Sequence, residues 1–261
     1  SQTCSIGRRP PLRGHLKTQA AVVGAGMAGV LTAYALQQAG LSVVVLEADR
    51  IAGGQTQNTT AKITSQHGLI YSRLIQSFGE ETARRYAKAN QDAVRAYQDL
   101  IDVQGISCDW EERCAYLYGP DVTVLQEEAE AARRLGLPAS FTREVSIPIP
   151  HDGAVRFEGQ AQFHPLKFLK VLADQLTIYE QSRVLTAEGD LLTTELGSVQ
   201  AEHIVFACHF PFVNFPGMYF ARMHQERSYV LALQGAPPVD GMFLGVGRDT
   251  FSLRTYGELL L

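Results

Sequence analysis

The first strong signal along the chain is a short, unbroken apolar run, Ala20-Ala21-Val22-Val23, that stops at Gly24. A run of this length without polar alternation is the pattern of a strand covered on both faces. Residues 26–38 follow as a helix rich in Ala and Leu, stopped by Gly40, a residue suited to the left-handed turn after a helix. A second apolar run, Val43-Val44-Val45-Leu46, closes on Glu47. Strand, glycine turn, helix and strand in this order predict a βαβ unit, with parallel strands and a right-handed crossover.

Beyond Glu47 the pattern changes. Residues 49–68 lack periodicity and carry many small polar groups, a stretch that in a compact domain is usually functional. Helices are predicted over residues 69–78 and 80–101. The second places Glu80/Arg84 and Glu81/Arg85 at i,i+4 spacing on a solvated face, with Tyr86, Val94, Tyr97 and Ile101 opposite. Short strands near Trp110 and over 115–118 precede a charged helix over 122–135. Ile147-Pro148-Ile149-Pro150 marks a connection, and residues 154–163 read as paired short strands. A helix over 165–176 starts with Pro165, where the missing N–H costs nothing. Strands near Ile178 and over 183–187, 191–194, 203–207, 229–233, 242–246 and 251–256 complete the pattern.

The first βαβ unit and the strand at 203–207 can share one sheet, so the prediction is an α/β fold: a Rossmann-like domain with a parallel sheet, interrupted by a mixed-sheet α+β domain. Residues 1–18 read as an irregular leader. The Rossmann-like domain takes residues 19–80 and 150–215, and the second domain residues 81–149 and 216–261.

Composition narrows the class. Apolar residues make up 46% of the chain and charged residues 19%, which excludes disorder. The 23 basic and 27 acidic residues give a net charge of -4, which excludes an overall basic nucleic-acid binder. No apolar run approaches the roughly 18 residues of a transmembrane helix, so no membrane partner is expected. The start Ser1-Gln2-Thr3-Cys4 has no apolar signal core. Cys4, Cys108, Cys114 and Cys208 never form Cys-x-x-Cys, so neither a zinc knuckle nor a disulfide framework is expected, and a reduced, cytoplasmic setting is the default.

The chemistry-bearing motif is Gly24-Ala25-Gly26-Met27-Ala28-Gly29, a G-x-G-x-x-G between a strand and a helix. Gly24 allows the tight turn, Gly26 lets the backbone approach a pyrophosphate, and Gly29 lets the helix pack on the strand. The helix start offers unpaired N–H donors and a partial positive charge to phosphates. Glu47, at the tip of the second strand, can accept hydrogen bonds from ribose hydroxyls, and its charge opposes a 2′-phosphate. Glycine spacing alone does not choose between FAD and NAD. The loop carrying Thr56, Gln57, Asn58, Thr59, Thr60 and Lys62 points to FAD, because hydroxyls and amides suit a longer diphosphate–ribityl–flavin chain.

The run from Gly24 to Glu47, followed by Ala48-Asp49-Arg50-Ile51-Ala52-Gly53-Gly54-Gln55-Thr56-Gln57-Asn58-Thr59-Thr60-Ala61-Lys62, resembles the D-amino-acid oxidase superfamily of FAD-dependent oxidoreductases. Its glycine and sarcosine oxidase branch is the nearest in pattern. Asn58-Thr59-Thr60-Ala61-Lys62-Ile63-Thr64 with Gln66-His67-Gly68 is similar to a bacterial subgroup whose longer members add a Rieske iron–sulfur domain. The resemblance implies that Met27 and Ala28 meet the FAD diphosphate and that Glu47 and Ala48 meet the adenosine ribose. Thr56, Gln57, Thr60, Ala61, Lys62 and Ile63 would line the diphosphate and flavin. Val184 would meet the adenine through its backbone, and Ala207 would end the strand beside the glycine turn. Lys62 reads either as a solvated lysine or as a cation beside the reduced ring.

The implied activity is oxidation of a C–N bond in a small amine or amino acid, by hydride transfer to the flavin, giving an imine. No side-chain base is required, so no catalytic residue is assigned. Arg222, Arg227, Tyr229 and Arg254 are candidates by type for gripping a substrate carboxylate. Family members run on to a late strand and helix that close over the flavin, so this sequence is expected to be a C-terminally truncated form. It has no Rieske ligand pattern and no metal spacing of its own, so such a cluster would belong to a longer form. Two other readings stay open: an FAD-holding or electron-transfer module without its own substrate, and an NAD-linked dehydrogenase.

Overall fold

In the computed structural model, which describes residues 4–210, 212–214, 217–247 and 250–261, the chain opens with β1 (Gly14–Val23), α1 (Met27–Gln38) and β2 (Val43–Leu46). A 3-10 turn at Gln55–Asn58 leads to β3 (Lys62–Ile63), α2 (Tyr71–Phe78), α3 (Glu80–Gln104), β4 (Glu111–Gly119) and α4 (Val122–Arg134). Then come β5 (Ala139–Thr142), β6 (Gly153–Gln162), α5 (Pro165–Ala173), β7 (Thr177–Tyr179), β8 (Thr186–Glu188), β9 (Leu191–Thr193) and β10 (Gly197–Phe206). The last elements are α6 (Tyr219–Arg222), β11 (Leu233–Gln234), β12 (Met242–Gly245), β13 (Ser252–Tyr256) and β14 (Leu259–Leu260). They form two units, Ser1–Thr59 with Pro165–Ser228, and Thr60–His164 with Tyr229–Leu261. Among the described residues no helix is long and apolar enough to cross a membrane.

The sheet of the first unit runs β7-β2-β1-β10-β9-β8. Its first three pairings are parallel and its last two antiparallel. Successive strand residues face opposite sides. Ala21, Val23, Val44 and Leu46 therefore join one core with Val184, Leu192 and Val199. Ala20, Val22, Val43 and Val45 are buried as well, and α1 packs on β1, β2 and α5. Burial of both faces explains why these two strands show no polar alternation.

The segment expected to be a leader is built into this unit. β1 begins at Gly14 and pairs with β10 from Gly14↔Gly197 to Val23↔Phe206. Ahead of it, Ile6 and Leu12 are buried. The polar first half of β1 carries no apolar run because β2 joins it only from Ala20 onward, so its side chains stay more exposed.

The second unit holds an eight-stranded sheet along β11-β14-β13-β12-β4-β6-β3, with β5 also paired to β6. Helices α2, α3 and α4 supply Tyr71, Ala83, Ala87, Leu125 and Ala132 to a core with Ala115, Leu117, Val155 and Phe157. On the opposite face Tyr118, Ala154, Phe243 and Leu260 pack with Ile147 and Ile149 of the proline-marked connection. Residues 154–163 do not form paired strands. Residues 154–162 belong to the single strand β6, interrupted by a register shift opposite Arg113 and Ala115, with Gly159 at φ +60. The expected boundaries also move. β3 pairs with β6, so residues 60–80 join the second unit, as do residues 150–164, and α6 falls in the first. Periodicity marks an element but not the sheet that receives it. The strand expected over 183–187 starts only at Thr186, and that over 229–233 reduces to Leu233–Gln234.

Glu128 of α4 is 1% exposed. Its carboxylate accepts the N–H groups of Ile70 (2.9 Å), Tyr71 (2.7 Å) and Ser72 (3.0 Å), and so caps α2, whose own N-cap residue, Ile70, offers no side-chain bond. The helix start favours this negative charge. Glu128→Ala, which strands one buried and two part-buried donors, is expected to lower unfolding free energy by about 2–3 kcal/mol, measured by urea denaturation.

Candidate functional site

The glycine turn is shaped by contacts that leave no room for a side chain. Gly24 has φ +107, and a Cβ there would lie 2.7 Å from the Ala207 carbonyl oxygen. A Cβ on Gly29 would lie 1.8 Å from the oxygen of Gly24. Ala207 donates its N–H to Val23 O at 2.8 Å, which fastens the end of β10 beside the turn. Gly26 differs: a Cβ there meets only Thr56 Oγ1, at 3.5 Å. The space beside it is open.

That space is a cavity of about 830 Å³, which lies wholly within the first unit. Gly24, Gly26, Met27, Ala28, Glu47 and Ala48 line one side of it. Residues Met27, Ala28 and Gly29 precede the first intrahelical bond, from Val30 N–H to Gly26 O at 3.0 Å, so their amides look outward at the helix start. Thr56 Oγ1 accepts the Met27 N–H at 3.0 Å. Glu47 is held on both oxygens, accepting Ala25 N–H at 2.7 Å and Asp49 N–H at 2.8 Å. Each carboxylate oxygen keeps acceptor capacity for a further donor.

Val184 and Ala207 also line the cavity. Gln57 does not: it is exposed, with its N–H on Ala52 O. Thr60, Ala61, Lys62 and Ile63 belong to the second unit. There Lys62 pairs with Gln162 and Ile63 with Ala161. The sheet coils enough for the Lys62 ammonium to reach Phe243 O at 2.7 Å and Ser252 Oγ at 2.6 Å, across strands that are not its neighbours. Burial, reinforced by the charge of Arg254, lowers the Lys62 pKa to about 8. Lys62 is thus neither freely solvated nor unbonded.

Among the residues considered for a carboxylate, Arg222, Arg227 and Tyr229 are exposed. Arg254 is 4% exposed, lies over the Tyr256 ring at 5.5 Å, and keeps Nε and Nη1 without an acceptor. Its burial lowers its pKa. Sequence reading missed the floor of the cavity, Ala52, Gly53 and Gly54, and the aromatic lip of Phe206 and Phe212, whose rings meet edge-on at 5.7 Å. The partial exposure of Phe206 at a strand end carries no signal in the sequence. Cys208 lines the cavity too, and burial raises its thiol pKa, which disfavours the reactive thiolate. Among the described residues no group of histidines, cysteines and carboxylates is placed to hold a metal.

Residues 19–258 match the family of FAD dependent oxidoreductases. The chain belongs to this family. It is 35% identical over 260 residues to a Bacillus subtilis protein that carries the name Rieske 2Fe-2S iron-sulfur protein, covering 94% of this chain and 51% of that one. It is 26% identical over 202 residues to gamma-glutamylputrescine oxidoreductase of Escherichia coli, covering 71% and 47%. The chain thus spans about half the length of these curated relatives. In fold it resembles glycine oxidase from Geobacillus kaustophilus (TM-score 0.65, 16% identity, 94% of this chain and 70% of that one). It also resembles L-proline dehydrogenase from P. horikoshii (TM-score 0.69, 15% identity, 95% and 69%). The family's cofactor is FAD, and the cavity meets its demands: backbone donors at a helix start, an acid at the next strand tip, and open space where Gly26 lacks a side chain.

Two glycines separate fold from binding. Gly29→Ala is expected to destabilise the chain by more than about 3 kcal/mol, because backbone must move. Gly26→Ala is expected to leave the melting temperature of the FAD-free protein nearly unchanged and to weaken FAD at least tenfold, read by flavin fluorescence titration. Lys62 predicts a pH effect. Its folded pKa is depressed, so between about 8 and 10.5 the unfolded chain holds more protons and stability from this group rises with pH. Lys62→Met should remove that rise, followed by urea midpoints on both sides of the window.

Proposed function

We propose that the cavity beside Gly26 holds the adenosine diphosphate half of FAD and that the protein serves oxidation of a C–N bond in a small amine or amino acid. The observation that carries this reading is that the helix start of α1 and the carboxylate of Glu47, joined through the Ala25 N–H, line one cavity together. The amides of Ala28 and Gly29 would receive the diphosphate, while Thr56 keeps the Met27 amide satisfied. Glu47, fixed on Ala25 and Asp49, would accept from the ribose hydroxyls, and Val184 would face the adenine. When bound, FAD supplies a hydride acceptor that the side chains lack.

In the second unit Arg254 is the buried cation whose unpaired N–H groups suit a carboxylate, which favours amino acids over simple amines. The Rieske name of the Bacillus subtilis relative supports a second reading, in which an iron–sulfur domain in a longer form takes the electrons. The purified protein is expected to show flavin absorbance after FAD loading. Under anaerobic conditions, a panel of amino acids and amines should bleach it at a rate that depends on substrate. No flavin uptake, with NADH binding instead, would overturn the cofactor assignment. Uptake without bleaching by any substrate would leave the electron-transfer module as the function.

A further inference from the structure

A chain of bonds runs from the N-terminal segment to the loop that walls the cavity, all of it inside the first unit. Glu180, just past β7, is 1% exposed. Its Oε1 accepts the N–H of Ile51 at 2.8 Å. Its Oε2 accepts the N–H of Arg9 at 2.9 Å and pairs with the Arg50 guanidinium. Arg50 in turn donates to the carbonyl of Ile6 at 2.8 Å. Beside it, Ser182 Oγ accepts the N–H of Leu12 at 2.8 Å, and the Ser182 N–H donates to Glu47 O at 2.8 Å. The Gln181 amide holds Asp49 Oδ1 at 2.9 Å. The loop closes on the glycine turn where Ala52 N–H meets Ala25 O at 2.9 Å.

Burying one carboxylate costs several kcal/mol unless its acceptor sites are filled. Here they are filled by one guanidinium and two amides. One amide comes from the N-terminal segment and one from the loop. Ile6, Arg9, Glu180 and the Arg50 and Ile51 they hold do not line the cavity, but Glu47 and Ala48 before this pair and Ala52, Gly53 and Gly54 after it do.

We propose that the segment around residues 6–12, acting through Glu180 and Arg50, is a positioning device that sets how tightly the cavity grips the adenosine end of its cofactor. Glu180 is the positioning residue, and it acts through Ile51 and Arg50. This rests on the reading of the cavity as the FAD site. A loop held before binding loses less conformational freedom when the ligand arrives, and that difference appears in affinity rather than in fold.

The test uses the full chain, with Kd for FAD and for ADP and the melting temperature of the FAD-free protein. Glu180→Gln keeps the volume but gives up the charge, and is expected to weaken both ligands about tenfold. Ile6→Ala, which loosens the segment without touching the carboxylate, should weaken them in the same direction by about threefold, and it carries the test if Glu180→Gln does not fold. Glu128→Gln in the second unit is the control for general destabilisation, expected to lower the melting temperature while changing either Kd less than twofold. Affinity unchanged in both Glu180→Gln and Ile6→Ala would overturn the proposal, as would an equal loss in Glu128→Gln. A parent chain that binds neither FAD nor ADP would instead bring down the cofactor reading on which it stands.

Discussion

The missing side chain at Gly29 is the constraint on which the rest of the first unit depends. With a Cβ position 1.8 Å from the Gly24 carbonyl, any other residue would push α1 away from β1. The same closeness brings Gly24 against Ala207, so the ends of β1 and β10 and the start of α1 converge within a few ångströms. Close packing of backbone on backbone leaves the helix amides facing open space instead of protein side chains. The open helix start results from what these residues lack as much as from what they carry.

Two buried carboxylates show a second principle at work in both units. Glu128 and Glu180 are each 1% exposed, and each is surrounded by N–H donors. Glu128 organises a helix start far along the chain from its own position. Glu180 joins the N-terminal segment to the loop after β2. A carboxylate used this way fixes geometry more firmly than a neutral acceptor, because leaving any donor unmatched beside a buried charge is costly. The first serves the framework of its unit, and the second holds Arg50 and Ile51 between the cavity-lining residues Ala48 and Ala52.

Family membership and cavity chemistry agree on FAD. The chain spans about half the length of these curated relatives, and its likeness to glycine oxidase and L-proline dehydrogenase, at 15–16% identity, is one of fold. Within the second unit, the concentration of polar groups where the sheet coils sets the local character. Lys62 is bonded to β12 and β13, Gln162 spans Glu111 and Thr255, and buried Arg254 keeps Nε and Nη1 without an acceptor.

What the amino-acid order determined unaided was local: two apolar runs too short for helices, the glycines at 24, 26 and 29 between them, and an acid at the tip of the second run. Each follows from sterics or periodicity within a few residues, and together they were enough to indicate the turn, the helix start and a dinucleotide cofactor, with the loop from Thr56 to Lys62 pointing to FAD. Tertiary structure decided everything that depends on partners distant in sequence. The polar residues 14–19 become strand because β10 lies beside them, residues 60–63 join the second sheet because β6 receives them, and Lys62 bonds to carbonyl and hydroxyl groups nearly two hundred residues away. The role of Glu180 was invisible for the same reason. A lone acid after a short strand has no periodic signature, and its meaning comes only from the amides that folding gathers around it.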